Sequence, residues 1–169
     1  HTAWIMASGV FARHLERYGV FYPMQTFSKE REVDFSGIPV FVEARTPEDT
    51  AVLREYAGKI SGRIYEAGSE RRKYLHLAAV FACNFTNHMY DLCYRLLEEQ
   101  DIPFDVMLPL IDETAAKVHL LAPHDAQTGP AVRYDRNVME RQSAMLSDEQ
   151  MKQIYELLSR SIHNARLKK

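Results

Sequence analysis

Between Lys73 and Asp91 the chain spaces its polar side chains so that a helix gathers them on one side. At 100° per residue, Lys73, His76, Asn84, Asn87 and Asp91 fall within an arc of about 80°, with His88 just beside it. Leu75, Ala78, Phe81, Ala82, Phe85, Met89, Leu92 and Leu96 make a broad apolar face around the rest. A histidine in such a stripe can act as general acid or base, because its unperturbed pKa lies near neutrality. Two carboxamides beside it can hold a substrate. His76, Asn84 and Asn87 are therefore the catalytic candidates, with Lys73 beside them as a binding candidate. The bland reading stays open: a hydrogen-bond network that only fixes packing, or a solvated strip. A metal is not expected, since Asn is a poor ligand and neither HExxH nor a Cys-His cluster occurs.

A second group lies at Gln127-Thr128-Gly129-Pro130, which reads as the opening of a helix, followed by Arg133, Asp135 and Arg136. Free N–H groups at a helix start attract anions, and an arginine nearby can clamp a carboxylate or phosphate. Arg133 and Asp135 are candidates for substrate binding on that basis; the alternative is an ordinary cap with surface charges. Glu113 and Lys117 make an i, i+4 pair expected to be a plain ion pair. Cys83 and Cys93 fall in one predicted helix, roughly 15 Å apart along its axis, too far to bridge. Free thiols fit a reducing cytoplasm.

Two kinds of element must position these residues. Six of the seven glycines lie at or before Gly68, so a turn-rich first part (residues 1–68) gives way to a helix-rich second part (69–169). In the first part, Ser8 to Tyr18 reads as a helix capped by Gly19. Val20–Phe27, Ile38–Ala44 and Ser61–Tyr65 read as strands, with Pro23 marking a strand end or edge. Thr46-Pro47-Glu48-Asp49 carries an N-cap, a proline at the first helical position and acids in the first turn, starting a helix to about Lys59. Strands alternating with helices predict an α/β unit. The second part predicts an unusually long, mostly buried helix over Ser69–Gln100. A helix over Pro103–Leu121 follows, capped by Asp101 and kinked at Pro109, then one from Gly129 to Leu146. Ser147 with Gln150 forms a capping box for a last helix to about Ala165.

The bulk numbers exclude some classes. With 169 residues and 46% hydrophobic content, there is enough material for a real core. A net charge of −2 gives no basic surplus for nucleic acid. No apolar run approaches the ~20 residues that span a bilayer, and no signal peptide is visible, so a cytoplasmic protein is expected. The chain opens with His1, which suggests a start inside a longer gene product or processing. No GxGxxG and no Walker pattern cradles a phosphate anywhere in the sequence.

Phe21-Tyr22-Pro23-Met24-Gln25-Thr26-Phe27 resembles the late Rossmann strand of a family of NADP-dependent oxidoreductases. Members have an N-terminal Rossmann-like domain and a helical C-terminal domain of unknown function, and are similar to pyrroline-5-carboxylate reductase. The run His76 to Phe85, then Pro109-Leu110-Ile111 with Glu113, Thr114 and Lys117, then Gln127 to Ala131 with Arg133 and Asp135, follow in the family's order and spacing. Three positions depart from it. Tyr22 stands where the family often has His, Tyr134 where a Gly often separates the Arg from the Asp, and Ala3–Met6 lacks the small residues expected after the strand end at His1-Thr2.

The resemblance implies the end of a Rossmann-like α/β sheet (1–68) followed by an all-α substrate and dimerisation domain (69–169) around one long central helix. It implies NADP for a complete parent protein whose pyrophosphate site lies upstream, so this chain alone should not bind the cofactor tightly. The resemblance gives a reaction class and no substrate; the anion-binding features around Arg133 lead us to expect a small, anionic one, and the apolar long helix, with the dimerisation of related reductases through this domain, a homodimer. On this reading Gln25 and Thr26 face a cleft from the strand side, opposite His76 and the carboxamides of Asn84 and Asn87, which can hold a substrate or a nicotinamide amide. The competing expectation is a non-catalytic helical dimerisation or ligand-binding module.

Overall fold

The computed structural model describes residues 14–167. The described residues pack as two compact units that divide between Met89 and Tyr90, inside a helix. The helix expected over Ser8–Tyr18 lies largely outside the described residues, and its described end, 14–18, is irregular. The His1–Met6 register and the Lys168-Lys169 tail also lie outside them.

The first unit holds a three-stranded sheet of order β1 (Gly19–Pro23), β2 (Val40–Ala44), β3 (Ile64–Glu66). β1 runs antiparallel to β2, Gly19 opposite Ala44 and Pro23 opposite Val40, and β2 runs parallel to β3. Pro23 ends β1, which stops four residues short of the expected Phe27. Gly19 is the first residue of β1, not a helix cap. A Cβ there would come within 2.7 Å of both the Glu43 carbonyl and a Leu53 methyl, so only glycine lets the strand approach this closely.

Helix α1 (Pro47–Gly58) starts as the sequence predicts. The Thr46 hydroxyl accepts from the Asp49 N–H at 3.1 Å, worth about 1 kcal/mol, and Pro47 occupies the first turn. The helix covers one face of the sheet, where Val40, Val42 and Ala57 are fully buried against Leu53 and Ile64. The pairing register puts Tyr22, Phe41 and Tyr65 side by side across the sheet, and Phe41 stacks on Tyr65 at 5.3 Å.

The predicted long helix exists but is not uniform. α2 (Ser69–Ala79) passes into a π-helical segment (Val80–Phe85) and then into α3 (Thr86–Glu98). It was expected to be mostly buried, yet Arg72 is its one buried residue.

In the second unit, Asp101 takes a positive φ of 54° just after α3, so it terminates that helix and does not cap the next. A 3-10 turn (Phe104–Met107) leads into α4 (Leu108–Leu120), which places Pro109 in the first turn, where it breaks no hydrogen bond and causes no mid-helix kink. α5 (Pro123–Ala126) and α6 (Pro130–Arg133) are single turns. α6 stops at Tyr134, which is left-handed at φ 54°, and α7 (Arg136–Ala144) restarts after Asp135. α8 (Glu149–Leu167) is capped by Asp148, whose carboxylate accepts from the Met151 N–H at 2.9 Å, so the cap lies one residue after the expected Ser147.

Candidate functional site

The stripe residues share one continuous helical run. His76 is half-buried on α2, Asn84 is exposed within the π segment, and Asn87 is exposed at the start of α3. None of the three side chains hydrogen-bonds to another described residue, so no closed packing network forms around them. Two neighbours are already engaged: Lys73 pairs with Glu70 at 2.7 Å, and Asp91 with Arg95 at 2.6 Å. The π segment also changes the wheel. Its turns are about one residue wider than α turns, so residues beyond Phe85 sit on a rotated face. The sequence gives weak notice of this, since nothing in Val80–Phe85 disfavours an ordinary α-helix.

Gln25 and Thr26 follow the Pro23 end of β1 and are exposed; the Gln25 side-chain carbonyl accepts from the Thr26 N–H at 2.9 Å. Pro23 lies opposite Val40, where β2 begins, whereas α2 leaves the other end of the sheet beyond Glu66. The two halves of the expected cleft thus start from opposite sheet edges. Tyr22, at the position where the family often carries His, donates its hydroxyl to the Met24 sulfur at 3.7 Å, and burial holds its pKa above the usual phenol value.

Arg133 and Asp135 belong to the second unit. Arg133 is exposed, whereas the Asp135 carboxylate accepts from the Val138 N–H at 3.3 Å and caps α7. The helix expected from Gly129 to Leu146 is broken after one turn, so its opening lacks the aligned peptide dipoles that the anion-site argument needs. The substitution of Tyr134 for the family's glycine has a physical basis here. Its left-handed conformation costs about 1–2 kcal/mol, and its ring is held by His163, stacked at 4.1 Å, and by Arg136 at 4.9 Å.

Sequence reasoning missed two features. Glu43, next to last in an otherwise apolar strand, reaches α2: its carboxylate accepts from the Ser69 hydroxyl at 3.2 Å and from the Arg72 guanidinium. Arg72 is 3% exposed and also donates to the Ala67 carbonyl at 2.7 Å. A lone acid in the strand Val-Phe-Val-Glu-Ala was the available signal. The second feature is a cavity of about 260 Å³ among α5, α6 and α8, lined by Pro123, Gln127, Val132 and Ile162.

The family model for a domain of unknown function, DUF2520, matches residues 38–162. The chain belongs to this family. A crystal structure of a "putative NADP oxidoreductase" from Bacteroides fragilis is 62% identical, covering 92% of this chain and 61% of that one, with a TM-score of 0.88. A Thermotoga maritima protein at 20% identity covers 89% of this chain and 62% of that one, with a TM-score of 0.73, and shares the fold. No curated protein matches. The resemblance read from the sequence motifs is borne out, as is the fold class: a small sheet, a remnant of a Rossmann-like one, followed by a mainly helical region. The chain spans about three-fifths of the length of the solved structures it matches.

Proposed function

We propose that this chain is the C-terminal portion of an NAD(P)-dependent oxidoreductase acting on a small, anionic substrate. The observation that carries the reading is the 62% identity to the Bacteroides fragilis protein over 92% of the chain. That relative is longer, and the chain holds no phosphate-cradling glycine pattern, so NADP is assigned to an upstream Rossmann half of the complete protein. In this reading His76, Asn84 and Asn87 are the catalytic candidates, and Gln25, Thr26 and Lys73 contact substrate. Arg133 remains the anion-binding candidate of its own unit, while Asp135, already a helix cap, is the weakest of the set. Similarity to pyrroline-5-carboxylate reductase, a domain boundary near Gly68, and a cytoplasmic setting belong to the same proposal.

The state of the long helix supports a homodimer. Tyr74, Leu77, Phe81 and Phe85 recur at helical spacing, and each is 49–74% exposed. Such a row is stable in water when another surface covers it. It also favours the second reading, a helical dimerisation or ligand-binding module without catalysis.

NADPH fluorescence titration separates the cofactor claims. The 169-residue chain should show no micromolar binding, whereas the Bacteroides fragilis protein should bind. NADPH oxidation by the complete gene product, screened against small carbonyl and imine acids, then tests catalysis. Tight NADPH binding by the chain alone sinks the upstream assignment; no turnover across the screen favours the second reading.

A further inference from the structure

We infer that Thr86 is a positioning residue: its hydroxyl holds a widened helical turn that aligns His76 with Asn84 and turns Asn87 aside, narrowing the catalytic candidates to that aligned pair. This rests on reading the stripe as a ligand site. The Thr86 Oγ1 donates to the Phe81 carbonyl, five residues back, at 3.0 Å. Two other helical threonines reach only four back: Thr50 bonds the Thr46 carbonyl at 3.0 Å, and Thr114 the Leu110 carbonyl at 2.8 Å. The difference coincides with the π segment Val80–Phe85, whose backbone bonds also span five residues. The hydroxyl thus satisfies a carbonyl at the point where the helix returns to α geometry. Phe81 and Phe85 meet edge to face at 5.0 Å across the same segment.

A π segment adds about one residue to the turn, so the helix beyond it is rotated back by roughly 100°. On a regular wheel Asn84 lies about 80° from His76 and Asn87 about 20° away. With the π segment in place, Asn84, most of the way through it, falls within roughly 20° of His76. Asn87, beyond it, swings to roughly 80° on the other side. His76 and Asn84 then lie on one line, about 11–12 Å apart along the axis. Segments of this type occur frequently at functional sites.

The test pairs a structural readout with a kinetic one. Crystal structures of the Thr86→Val and Thr86→Ser chains should show residues 80–85 reverting to α geometry in the first and staying π in the second. A Thr86→Val variant that keeps the π segment overturns the role given to Thr86. In the complete gene product, with a substrate found by the NADPH-oxidation screen, Thr86→Val and Asn84→Ala should each lower kcat/KM about tenfold or more, and Thr86→Ser should stay within about twofold. Loss of the π segment without loss of turnover overturns the positioning claim while leaving the oxidoreductase reading intact. No turnover by the unmodified protein sinks that reading and the ligand site with it, yet the crystal structures still decide what holds the turn.

Discussion

Residues 40–57 seal Val40, Val42 and Ala57 completely, whereas the helical run from Ser69 to Phe85 leaves Tyr74, Leu77, Phe81 and Phe85 half-exposed or more. Both stretches lie in the same compact unit and both are rich in apolar residues. The strands and α1 find their partners in each other, since sheet pairing and one amphipathic helix close a layer. Among the described residues no such layer covers the aromatic row of the long helix. Burial of the first stretch is a matter of folding; burial of the second needs the partner proposed above. The same division fits the polar residues: Glu43 and Arg72 are spent on structure, and His76, Asn84 and Asn87 bond to nothing described.

Arg72 is where this comparison can be broken most sharply, because it is the one residue of the helical run that folding buries. Removing one partner of a buried, hydrogen-bonded pair strands the other, so Arg72→Ala should cost about 3–5 kcal/mol in urea unfolding. Replacing Glu43 and Arg72 together by apolar residues of similar volume should cost much less. Equal losses for the single and double changes would contradict the account of the pair.

The two stretches can next be set against each other directly. Val42→Ala removes two fully buried methyl groups and should cost about 2 kcal/mol. Phe81→Asp, on a side chain 62% exposed, should leave the unfolding of the single chain within about 0.5 kcal/mol of the parent and abolish the proposed dimer. Sedimentation showing a monomer for the unmodified chain at micromolar concentration would remove the partner from the explanation.

The sequence made the sheet layer easy to read, because local signals and global packing agree there. Thr46-Pro47 begins α1 as its residue types demand, and Pro23 ends β1. The long helix was visible as a helix, but its 100° wheel assumed unbroken α geometry, and no residue type in Val80–Phe85 announces the wider turn. The Glu43–Arg72 contact spans 29 residues, and a pairing that distant has no periodicity to betray it. The helix predicted through Gly129–Leu146 failed for a local reason: Tyr134 adopts a conformation that side chains rarely take, held by its ring contacts with His163 and Arg136.

That stack gives a smaller test, in the second unit. Tyr134→Gly relieves the left-handed backbone and loses the ring contacts, two effects of about 1–2 kcal/mol that oppose each other. Tyr134→Ala loses the contacts and keeps the strain. Thermal unfolding should therefore rank Gly above Ala by about 1 kcal/mol, and the reverse order would mean that the backbone strain assigned to this position is absent.

The smallest effect expected concerns charge on the well-packed layer. The Asp49 carboxylate, in the first turn of α1, accepts from the Arg17 guanidinium at 2.7 Å. That bond, with the Arg17 charge and the Thr46 contact, holds its pKa below the usual carboxylate value, against a smaller opposing effect of burial. A folded-state pKa that is depressed means that the folded chain binds the proton less readily than the unfolded one. The contribution is therefore fully present above the unfolded value of about 3.9 and fades as pH falls through and below it. Asp49→Asn should lower stability slightly at pH 7 and leave it nearly unchanged at pH 2, so its urea midpoint should vary less with pH across that acid range. Because the pair is exposed on its arginine side, at 75%, added salt should shrink the pH 7 difference further. An Asp49→Asn chain that loses as much stability at pH 2 as at pH 7 would show that the side chain works through the helix cap alone and not through its charge.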